Sequence, residues 1–430
     1  MAESDRNARN TVLWMLGETL GKGRLSHMVV NETFETEAFN PRDRAFISRL
    51  YLGVLERLIY LDYVINRHSA VNTANMKPDV LNILRMGAYQ LLFMDGVPDF
   101  AAINESVELA SKCLPAHLKA FVNGVLRSIQ RGRDDEMPDM PPNVRLSVPK
   151  WIYEMVVGDY GMAAAVDFFE GALDENKRVT IRFNRAAAGT GEITALLEKE
   201  GCSVAPVDEE AGVYRLWNFE SLTGLRAYKE GLFIVQDYSS VRAAMACVFA
   251  LKRAGIDSPL ILDVCAAPGG KTMCMAEHFP NGRIIARDIS GAKTALIKEN
   301  AERLGLENIS IQIHDALVFD GTLKEKVDLV IADLPCSGLG VIGGKPDIKF
   351  RIRPDDINEL SRLQNDILDV VQGYVGKGGY IMYSTCTICK AENEDNASEF
   401  AERHGYELIR EEKLLPKDAD GFYFALMKKK

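Results

Sequence analysis

Features that would assign this sequence to a membrane, secreted or disordered class are missing from it. The 430 residues contain no run of eighteen apolar residues, so no transmembrane helix is expected. The opening MAESDRNARN lacks the apolar core of a signal peptide. An apolar content of 47% with only 16 prolines excludes a disordered or low-complexity chain. The sequence therefore predicts a folded protein of the cytoplasm with no membrane partner.

Cysteine is sparse and irregularly spaced. The eight cysteines are spread over a long chain, unlike the dense framework of a small secreted domain, so reduced thiols are expected. Only one C-x-x-C pair occurs, Cys386 with Cys389, and a zinc site would normally need a second pair. No metal site is predicted, and Cys389 is interpreted as an incidental thiol.

A strong excess of positive charge is also absent. The net charge is −10, which argues against a polycation that coats nucleic acid. Residues 1–132 hold 15 basic and 14 acidic side chains, so the acidic excess lies in the remainder. If the protein binds RNA, local basic patches must supply the contacts.

The pattern of apolar residues divides the chain into parts. A chain of this length exceeds the size of one ordinary core, so at least two domains are expected. From residue 6 to about 131 the apolar residues recur at helical spacing, with prolines between the segments. We predict an all-helical domain at 1–132, a linker at 133–145, a small α+β subdomain at 146–232 packed on the catalytic domain, and a catalytic domain at 233–430.

The last of these parts alternates short apolar runs with helical stretches. That alternation is typical of an α/β fold with a doubly wound, Rossmann-like parallel sheet. In such sheets ligands bind beyond the carboxyl ends of the strands. Each distinctive residue of this part follows a strand, so the strand ends are the predicted site.

Three of these strand ends fit a nucleoside ligand. The first leads into CAAPGGK, a turn of small residues that lets a ligand approach backbone amides. Asp288 follows 25 residues after Asp263 and suits two ribose hydroxyls, and Asp315 suits an adenine amino group. Because the pattern G-x-G-x-x-G is missing, a dinucleotide is disfavoured. The common nucleoside ligand without phosphate is S-adenosyl-L-methionine.

The fourth and fifth strands each end beside a cysteine, Cys336 after Asp333 and Cys386 after Thr385. Methyl transfer to oxygen or nitrogen needs no thiol. Carbon 5 of a pyrimidine is a poor nucleophile until a thiolate adds to carbon 6, and the carbon 5 proton must then leave. Two thiols at one cleft therefore predict methylation of a pyrimidine carbon.

These residues resemble a known family. LDVCAAPGGKT, ADLPCSGLGVI, YSTCTICKAENE and the terminal DGFYFALMKK are similar to motifs of the RNA cytosine-5 methyltransferases of the Sun and nucleolar-protein type. VQDYSS and RFN match as well. The N-terminal third resembles the NusB-like helical RNA-binding module. The combination is similar to bacterial small-subunit ribosomal RNA methyltransferases of the RsmB/Sun type, over nearly the whole chain.

The resemblance implies roles for individual residues. Cys386 corresponds to the nucleophile that attacks carbon 6, and Cys336 to the residue needed for product release. Asp333 corresponds to the carboxyl that contacts the cytosine ring at nitrogen 3, which requires a shared proton there. Lys271 either holds the cofactor or favours a nearby thiolate. The cofactor-binding positions implied are Cys265, Ala266, Ala267, Pro268, Gly269, Gly270, Lys271, Asp288, Asp315 and Asp333.

Two departures from the family pattern bear on the cofactor. Arg287 stands where a small or apolar residue is usual, and Leu334 stands where Ala or Val is common, which bears on cofactor affinity and not on the chemistry.

Basic residues are the candidates for RNA contact. The segment KPDIKFRIRPDDI matches a family segment expected near the target nucleotide, and it offers Lys345, Lys349, Arg351 and Arg353 to phosphates. Arginines of the N-terminal module are a second candidate face: Arg6, Arg9, Arg42, Arg44 and Arg49.

Several alternatives stay open at this stage. The substrate is expected to be small-subunit ribosomal RNA, but the motifs alone do not separate it from transfer RNA. A non-catalytic RNA-binding or antitermination factor would not need two strand-end thiols. A nicotinamide-dependent oxidoreductase is disfavoured by the missing glycine pattern. Nothing in the sequence requires more than a monomer.

Overall fold

A computed structural model describes residues 8–137, 139–174, 179–415 and 420–430. The chain forms two compact units. The first comprises the chain up to Leu173 together with the segment Ile342–Arg351, and the second comprises Asp174–Val341 and Ile352–Lys430. Within the described ranges, no helix is both long and apolar enough to cross a membrane.

The first half of the chain is helical, as its apolar spacing predicts. A π-helical turn, Gly17–Gly21, extends the first helix. The helices pack around a core that includes Leu50, Tyr51, Ile83 and Tyr89. Their bounds are α1 Ala8–Leu16, α2 Ser26–Thr36, α3 Pro41–Glu56, α4 Leu58–His68, α5 Pro78–Phe93, α6 Asp99–Cys113, α7 Ala116–Arg131, α8 Pro142–Arg145, α9 Lys150–Tyr160 and α10 Met162–Ala172.

Prolines and a capping side chain fix where these helices begin. Pro41 and Pro78 are the first residues of α3 and α5, a position at which the missing N–H costs no hydrogen bond. Asn40 caps α3 by accepting from the Asp43 amide at 2.9 Å. Pro98 and Pro115 directly precede α6 and α7.

The helical unit extends well beyond the boundary predicted at residue 132. Val148 is fully buried, and the Ser147 hydroxyl accepts from the amide of Ile59 in α4 at 3.1 Å. Part of the predicted linker is thus a helix, and residues 146–173 belong to the first unit, not to an α+β subdomain. The sequence pattern did not indicate this boundary because the proline-rich, acidic stretch has no apolar periodicity, although the residues after it pack in the helical unit. Pro138 lies outside the described residues.

The second half of the chain alternates strands and helices. Short 3₁₀ turns lie at Leu222–Gly224, Gly321–Leu323, Leu339–Val341, Gln372–Tyr374 and Lys390–Glu392. The main elements are β1 Val179–Phe183, α11 Thr190–Lys199, β2 Ser203–Asp208, β3 Val213–Trp217, α12 Arg226–Lys229, β4 Phe233–Val235, α13 Tyr238–Arg253, β5 Leu260–Asp263, α14 Gly270–His278, β6 Arg283–Asp288, α15 Gly291–Leu304, β7 Ile309–Ile313, β8 Val327–Asp333, α16 Ile348–Arg351 (in the first unit), α17 Pro354–Val371, β9 Val375–Thr385, α18 Glu394–His404, β10 Tyr406–Leu414 and β11 Phe422–Lys429.

Seven strands form the large sheet, in the order β10-β11-β9-β8-β5-β6-β7. The five strands from β5 to β9 are parallel, which confirms the doubly wound sheet. The chain moves to one side from β5 to β7 and then crosses to β8, so β5 and β8 flank the switch point. β11 inserts antiparallel between β9 and β10, and the terminal motif DGFYFALMKK is therefore a central strand.

A four-stranded antiparallel sheet, in the order β2-β3-β1-β4, precedes the large one in the same unit. The RFN motif joins the two. The buried Arg182 pairs with Glu277 of α14, and the Asn184 amide donates to the carbonyl oxygen of Leu304 at 3.2 Å. These polar contacts explain why a strand carries a buried arginine and asparagine.

Candidate active site

The carboxyl ends of β5 and β8 open onto one cavity of about 190 Å³. Because these two strands flank the switch point, loops leave them in opposite directions and a cleft remains between. The lining comes from the residues after β5, from Asp333 at the end of β8, and from the segment after β4: Val235, Gln236, Asp237, Ser240, Asp263, Cys265, Ala266, Ala267, Pro268, Gly270, Lys271 and Asp333.

The small-residue turn after β5 brings backbone close to that cavity. Gly269 has φ +108°, a conformation that side chains disfavour, and a Cβ there would lie 2.8 Å from the Met273 Cε. The amide of Ala267 donates to Asp288 Oδ2 at 3.0 Å, which ties the turn to the end of β6. The predicted turn residues are therefore brought together with Asp288.

Asp288 is buried, and its carboxylate already has partners. Oδ1 accepts from the Ile289 amide at 2.8 Å and lies 3.2 Å from the Lys293 Nζ. Asp315 is exposed, two residues beyond β7, where Oδ1 accepts from the Leu317 amide at 3.0 Å. Apolar side chains that the sequence reasoning did not single out lie exposed beside these acids. Ile289 is 62% exposed and Leu317 44% exposed.

Asp263 is a buried carboxyl with one oxygen unsatisfied. Its Oδ2 accepts from the Thr272 hydroxyl at 2.6 Å, whereas Oδ1 has no hydrogen-bond partner among the residues described. Burial is the main cause that raises the pKa of Asp263 to about 7. The sequence pattern predicts no role for Asp263 beyond its spacing from Asp288. Its signal was an acid at the end of a strand that is otherwise apolar.

Asp333 connects the cavity to the thiols. Its Oδ2 accepts from the Lys271 Nζ at 2.7 Å, and its Oδ1 accepts from the Ser384 hydroxyl at 2.7 Å. The Lys271 Nζ also lies 4.9 Å from the centre of the Phe422 ring. Lys271, Asp333 and Ser384 thus form one hydrogen-bonded group across α14, β8 and β9.

The two strand-end thiols meet. Cys336 Sγ lies 3.4 Å from Cys386 Sγ, although the residues come from loops after different strands. The thiols are not lining residues of the cavity; Asp333, three residues before Cys336, is the residue shared with it. The Cys386 contact is the largest cause, and burial the next, that raises the pKa of Cys336 well above the usual thiol range.

Backbone hydrogen bonds connect the two thiol loops, which are the loop after β8 that carries Cys336 and the loop after β9 that carries Cys386. The Gly340 amide donates to the Cys386 carbonyl oxygen at 3.0 Å, and the Gly421 amide donates to the Gly340 carbonyl oxygen at 2.9 Å. A Cβ on Gly340 would lie 2.0 Å from the Gly421 oxygen, so only glycine fits this approach. The Leu334 amide likewise donates to the Ser384 carbonyl oxygen at 3.0 Å.

Cys389 is buried in the loop after Cys386, and its amide donates to the Thr387 hydroxyl at 3.3 Å. Over the parts of the chain that the structure describes, no cluster of three or more His, Cys, Asp or Glu side chains is placed to hold a metal ion.

The four basic residues proposed for RNA contact do not share one environment. Lys345, Arg351 and Arg353 are exposed. Lys349 is only 4% exposed, and its Nζ donates to the Glu56 carbonyl oxygen at 2.7 Å. The prediction that Lys349 contacts a phosphate is therefore wrong, because its ammonium is buried in the helical unit and donates to a backbone carbonyl there.

The arginines of the helical module also differ in whether they have partners within the module or are exposed. Arg44 and Arg49 donate to the carbonyl oxygens of Phe34 and Phe93. Arg9 donates to the Gln90 side chain at 2.9 Å. Arg42 is exposed, and Arg6 lies outside the described residues. Most of these arginines thus have contacts within the helical module.

Arg287, one of the two departures from the family pattern, has a structural partner. Its Nη2 lies 2.5 Å from Asp320 Oδ2, and its Nε donates to Gln312 at 2.9 Å. Hydrogen bonds from Thr322 and Arg287 lower the pKa of Asp320 to about 2. The arginine therefore joins β6 to β7 and the loop beyond. Leu334, the other departure, is buried in the same hydrophobic cluster as Val330 and Ala332 of β8.

Comparison with protein families assigns both halves of the sequence. A family model described as 16S rRNA methyltransferase RsmB/F matches residues 250–428. The NusB family model matches residues 6–131.

Individual relatives extend over most of the chain. The probable ribosomal RNA small subunit methyltransferase B of Bacillus subtilis is 33% identical over 389 residues, which cover 88% of this chain and 84% of that protein. The ribosomal RNA small subunit methyltransferase B of Serratia proteamaculans is 30% identical and covers 98% of this chain and 99% of its own. Among solved structures, PH0851 has a TM-score of 0.79 with 24% identity and covers 100% of both chains, so it shares the fold.

Proposed function

This chain belongs to the RsmB/F family of 16S rRNA methyltransferases, and from that premise we propose that it forms 5-methylcytosine in small-subunit ribosomal RNA through a covalent Cys386 adduct. The observation that carries the proposal is the 3.4 Å separation of the Cys336 and Cys386 sulfurs. Methyl transfer to oxygen or nitrogen has no use for such a pair, whereas activation of a pyrimidine carbon does.

The cavity residues fit S-adenosyl-L-methionine as the methyl donor. The turn from Cys265 to Lys271 offers backbone beside a left-handed Gly269, and Asp288 and Asp315 follow the next two strands. Asp288 Oδ2 accepts from the Ala267 amide and keeps its second lone pair for a ribose hydroxyl. Asp263 also lines the cavity, and its carboxyl, when ionised, would suit a cationic group. When bound, this cofactor supplies an electrophilic methyl group.

Cys386 is the proposed nucleophile, and Cys336 assists release. The raised pKa of Cys336 keeps it a thiol near neutral pH, so its S–H can donate to the Cys386 sulfur. The Cys386 thiolate bonds to carbon 6, and the ring electrons then make carbon 5 nucleophilic. After carbon 5 carries its methyl group, its proton passes to a solvent water molecule, and the electron pair left behind restores the ring double bond as the carbon 6–sulfur bond breaks. Donation from Cys336 stabilises the departing thiolate.

Asp333 is the proposed contact for nitrogen 3 of the base. Lys271 and Ser384 hold its two oxygens, which fixes the carboxyl at the end of β8. A proton shared between Asp333 and nitrogen 3 would draw electrons from the ring and favour attack at carbon 6. Lys271 orients the Asp333 carboxyl through its hydrogen bond to Oδ2, and it can also hold the cofactor that the cavity suits.

The NusB family match supports RNA as the partner. Lys345, Arg351 and Arg353 are the proposed phosphate contacts, because they are exposed on or beside the segment after β8. We propose a monomer as the active species.

Methyl transfer to defined RNA tests the proposal. The protein is incubated with methyl-labelled S-adenosyl-L-methionine and small-subunit RNA from a strain that lacks the enzyme, and the product nucleosides are separated. We expect label in 5-methylcytosine at one cytidine, which bisulfite sequencing locates. Label in another nucleoside would refute cytosine-5 chemistry. Label that appears only with transfer RNA would keep the chemistry and change the substrate.

A further inference from the structure

A buried carboxylate to which the proposed chemistry gives no role joins the two thiol loops. Glu392 is 0% exposed and lies six residues beyond Cys386. Its Oε1 accepts from the Ser337 amide at 2.8 Å, and its Oε2 accepts from the Ser337 hydroxyl at 2.5 Å. Ser337 directly follows Cys336, so the carboxylate holds the residue next to one thiol.

The contact continues to the other thiol. The hydroxyls of Ser337 and Thr387 lie 2.7 Å apart, and Thr387 directly follows Cys386. Because Ser337 gives its hydrogen to Glu392, Thr387 must donate to the Ser337 oxygen. The hydrogen bonds therefore run from Thr387 through Ser337 to Glu392, and they require an acceptor with no hydrogen of its own.

Gln364, also fully buried, braces the other side of Cys336. Its Nε2 donates to the Glu392 Oε1 at 3.1 Å and to the Pro335 carbonyl oxygen at 2.9 Å. The residues before and after Cys336 are thus both fixed by one polar network. Burial raises the pKa of Glu392, while hydrogen bonds from Ser337 and Gln364 oppose the rise and favour the carboxylate form.

We propose that Glu392 is a positioning residue whose carboxylate fixes Ser337 against Thr387 and thereby sets the distance between the Cys336 and Cys386 thiols. Among the described residues its carboxylate accepts hydrogen bonds from Ser337 and Gln364 and from neither thiol, so it acts through its neighbours. A shift of about 1 Å in such a pair costs roughly a hundredfold in rate in well-aligned sites. The consequence for turnover rests on the proposed function, whereas the consequence for thiol proximity does not.

The test uses Glu392→Gln, with Glu399→Gln as the matched control. Glutamine places an N–H₂ donor where the network needs an acceptor, whereas the Glu399 side chain is 62% exposed on α18. Diamide oxidises two neighbouring thiols to a disulfide and is itself reduced to the hydrazine. The rate at which Cys336 bonds to Cys386 is followed by peptide mass mapping, and folding is checked by the thermal midpoint.

We expect disulfide formation in folded Glu392→Gln to slow by about tenfold, and kcat to fall by a similar factor, while KM for S-adenosyl-L-methionine stays within about twofold. The control should match the parent protein. An unchanged oxidation rate in the folded variant would overturn the positioning role. If Glu392→Gln does not fold, Ser337→Ala carries the test, with a slowing of about threefold expected and an unchanged rate overturning the proposal.

The two proposals fail separately in this design. If the parent protein forms no 5-methylcytosine, the proposed function fails, and the oxidation rates still decide whether Glu392 positions the thiols. If the parent methylates cytosine and Glu392→Gln oxidises and turns over at parental rates, only the positioning role is lost.

Discussion

The sulfur atoms of Cys336 and Cys386 lie 3.4 Å apart, and this contact is the largest cause of the raised pKa of Cys336. Two thiols at that separation resist losing both protons, because a second thiolate would face the first. The pair therefore loses its first proton more readily than its second. A thiolate beside a neutral thiol suits a nucleophile and an assisting group.

The reactivity of Cys336 should depend on its neighbour. In Cys386→Ala the main cause of the raised pKa is gone, so the pKa of Cys336 should fall toward the ordinary thiol value. Alkylation of Cys336 by iodoacetamide, quantified by mass spectrometry across a pH series, should then begin at lower pH than in the parent protein. An unchanged profile would show that burial alone sets this pKa.

Asp263 should make the stability of the free protein depend on pH. Its pKa is about 7 in the folded state against 3.8 ordinarily, so from about pH 4 to about pH 7 the folded state holds a proton that the unfolded state has released. The free energy of unfolding therefore falls as pH rises through this interval. Asp263→Asn removes that dependence, so its thermal midpoint relative to the parent protein should be higher at about pH 8 than at about pH 5.

Asp320→Asn is the control for that measurement. The pKa of Asp320 is lowered to about 2, so its carboxyl is ionised in both states at both pH values, and the difference from the parent protein should stay constant. If Asp263→Asn also shows a constant difference, the Asp263 carboxyl does not carry the proposed proton.

Gly340→Ala should damage the site through the backbone. The new Cβ would lie 2.0 Å from the Gly421 oxygen and 2.7 Å from the Cys386 oxygen, so both loops must move. We expect a loss of about 1–3 kcal/mol in the free energy of unfolding by urea, together with reduced methyl transfer. Gly321→Ala, where nothing lies within 4 Å of the added Cβ, should change neither. Equal stability of the two variants would contradict the close approach.

The sequence predicted the elements that local patterns encode. Apolar spacing and Pro41 and Pro78 placed helices, and the alternating runs placed the parallel strands. Because parallel strands end at one edge of a sheet, the convergence of Cys336 and Cys386 also followed from their positions after strands. The sequence thus indicated which residues lie close together wherever a distinctive residue follows an apolar run.

What the sequence did not predict depends on distant contacts. Lys349 resembles any surface lysine until the Glu56 carbonyl oxygen is placed beside its ammonium. Glu392 lies in a loop with no periodic pattern, and Gln364 is a polar residue on the buried face of α17, so their contact with each other is not visible in the sequence. The segment Ile342–Arg351 lies between β8 and β9 in the chain yet belongs to the helical unit, which no local signal indicates.

Covalent trapping on RNA tests the central claim most directly. Each variant, Cys336→Ala and Cys386→Ala, is incubated with unmethylated small-subunit RNA and S-adenosyl-L-methionine and then run on a denaturing gel. Cys336→Ala should accumulate a protein–RNA adduct that survives denaturation, because attack proceeds while release is impaired, and Cys386→Ala should form none. An adduct in Cys386→Ala, or none in a folded and RNA-binding Cys336→Ala, would contradict the assignment of Cys386 as the nucleophile and Cys336 as the releasing thiol.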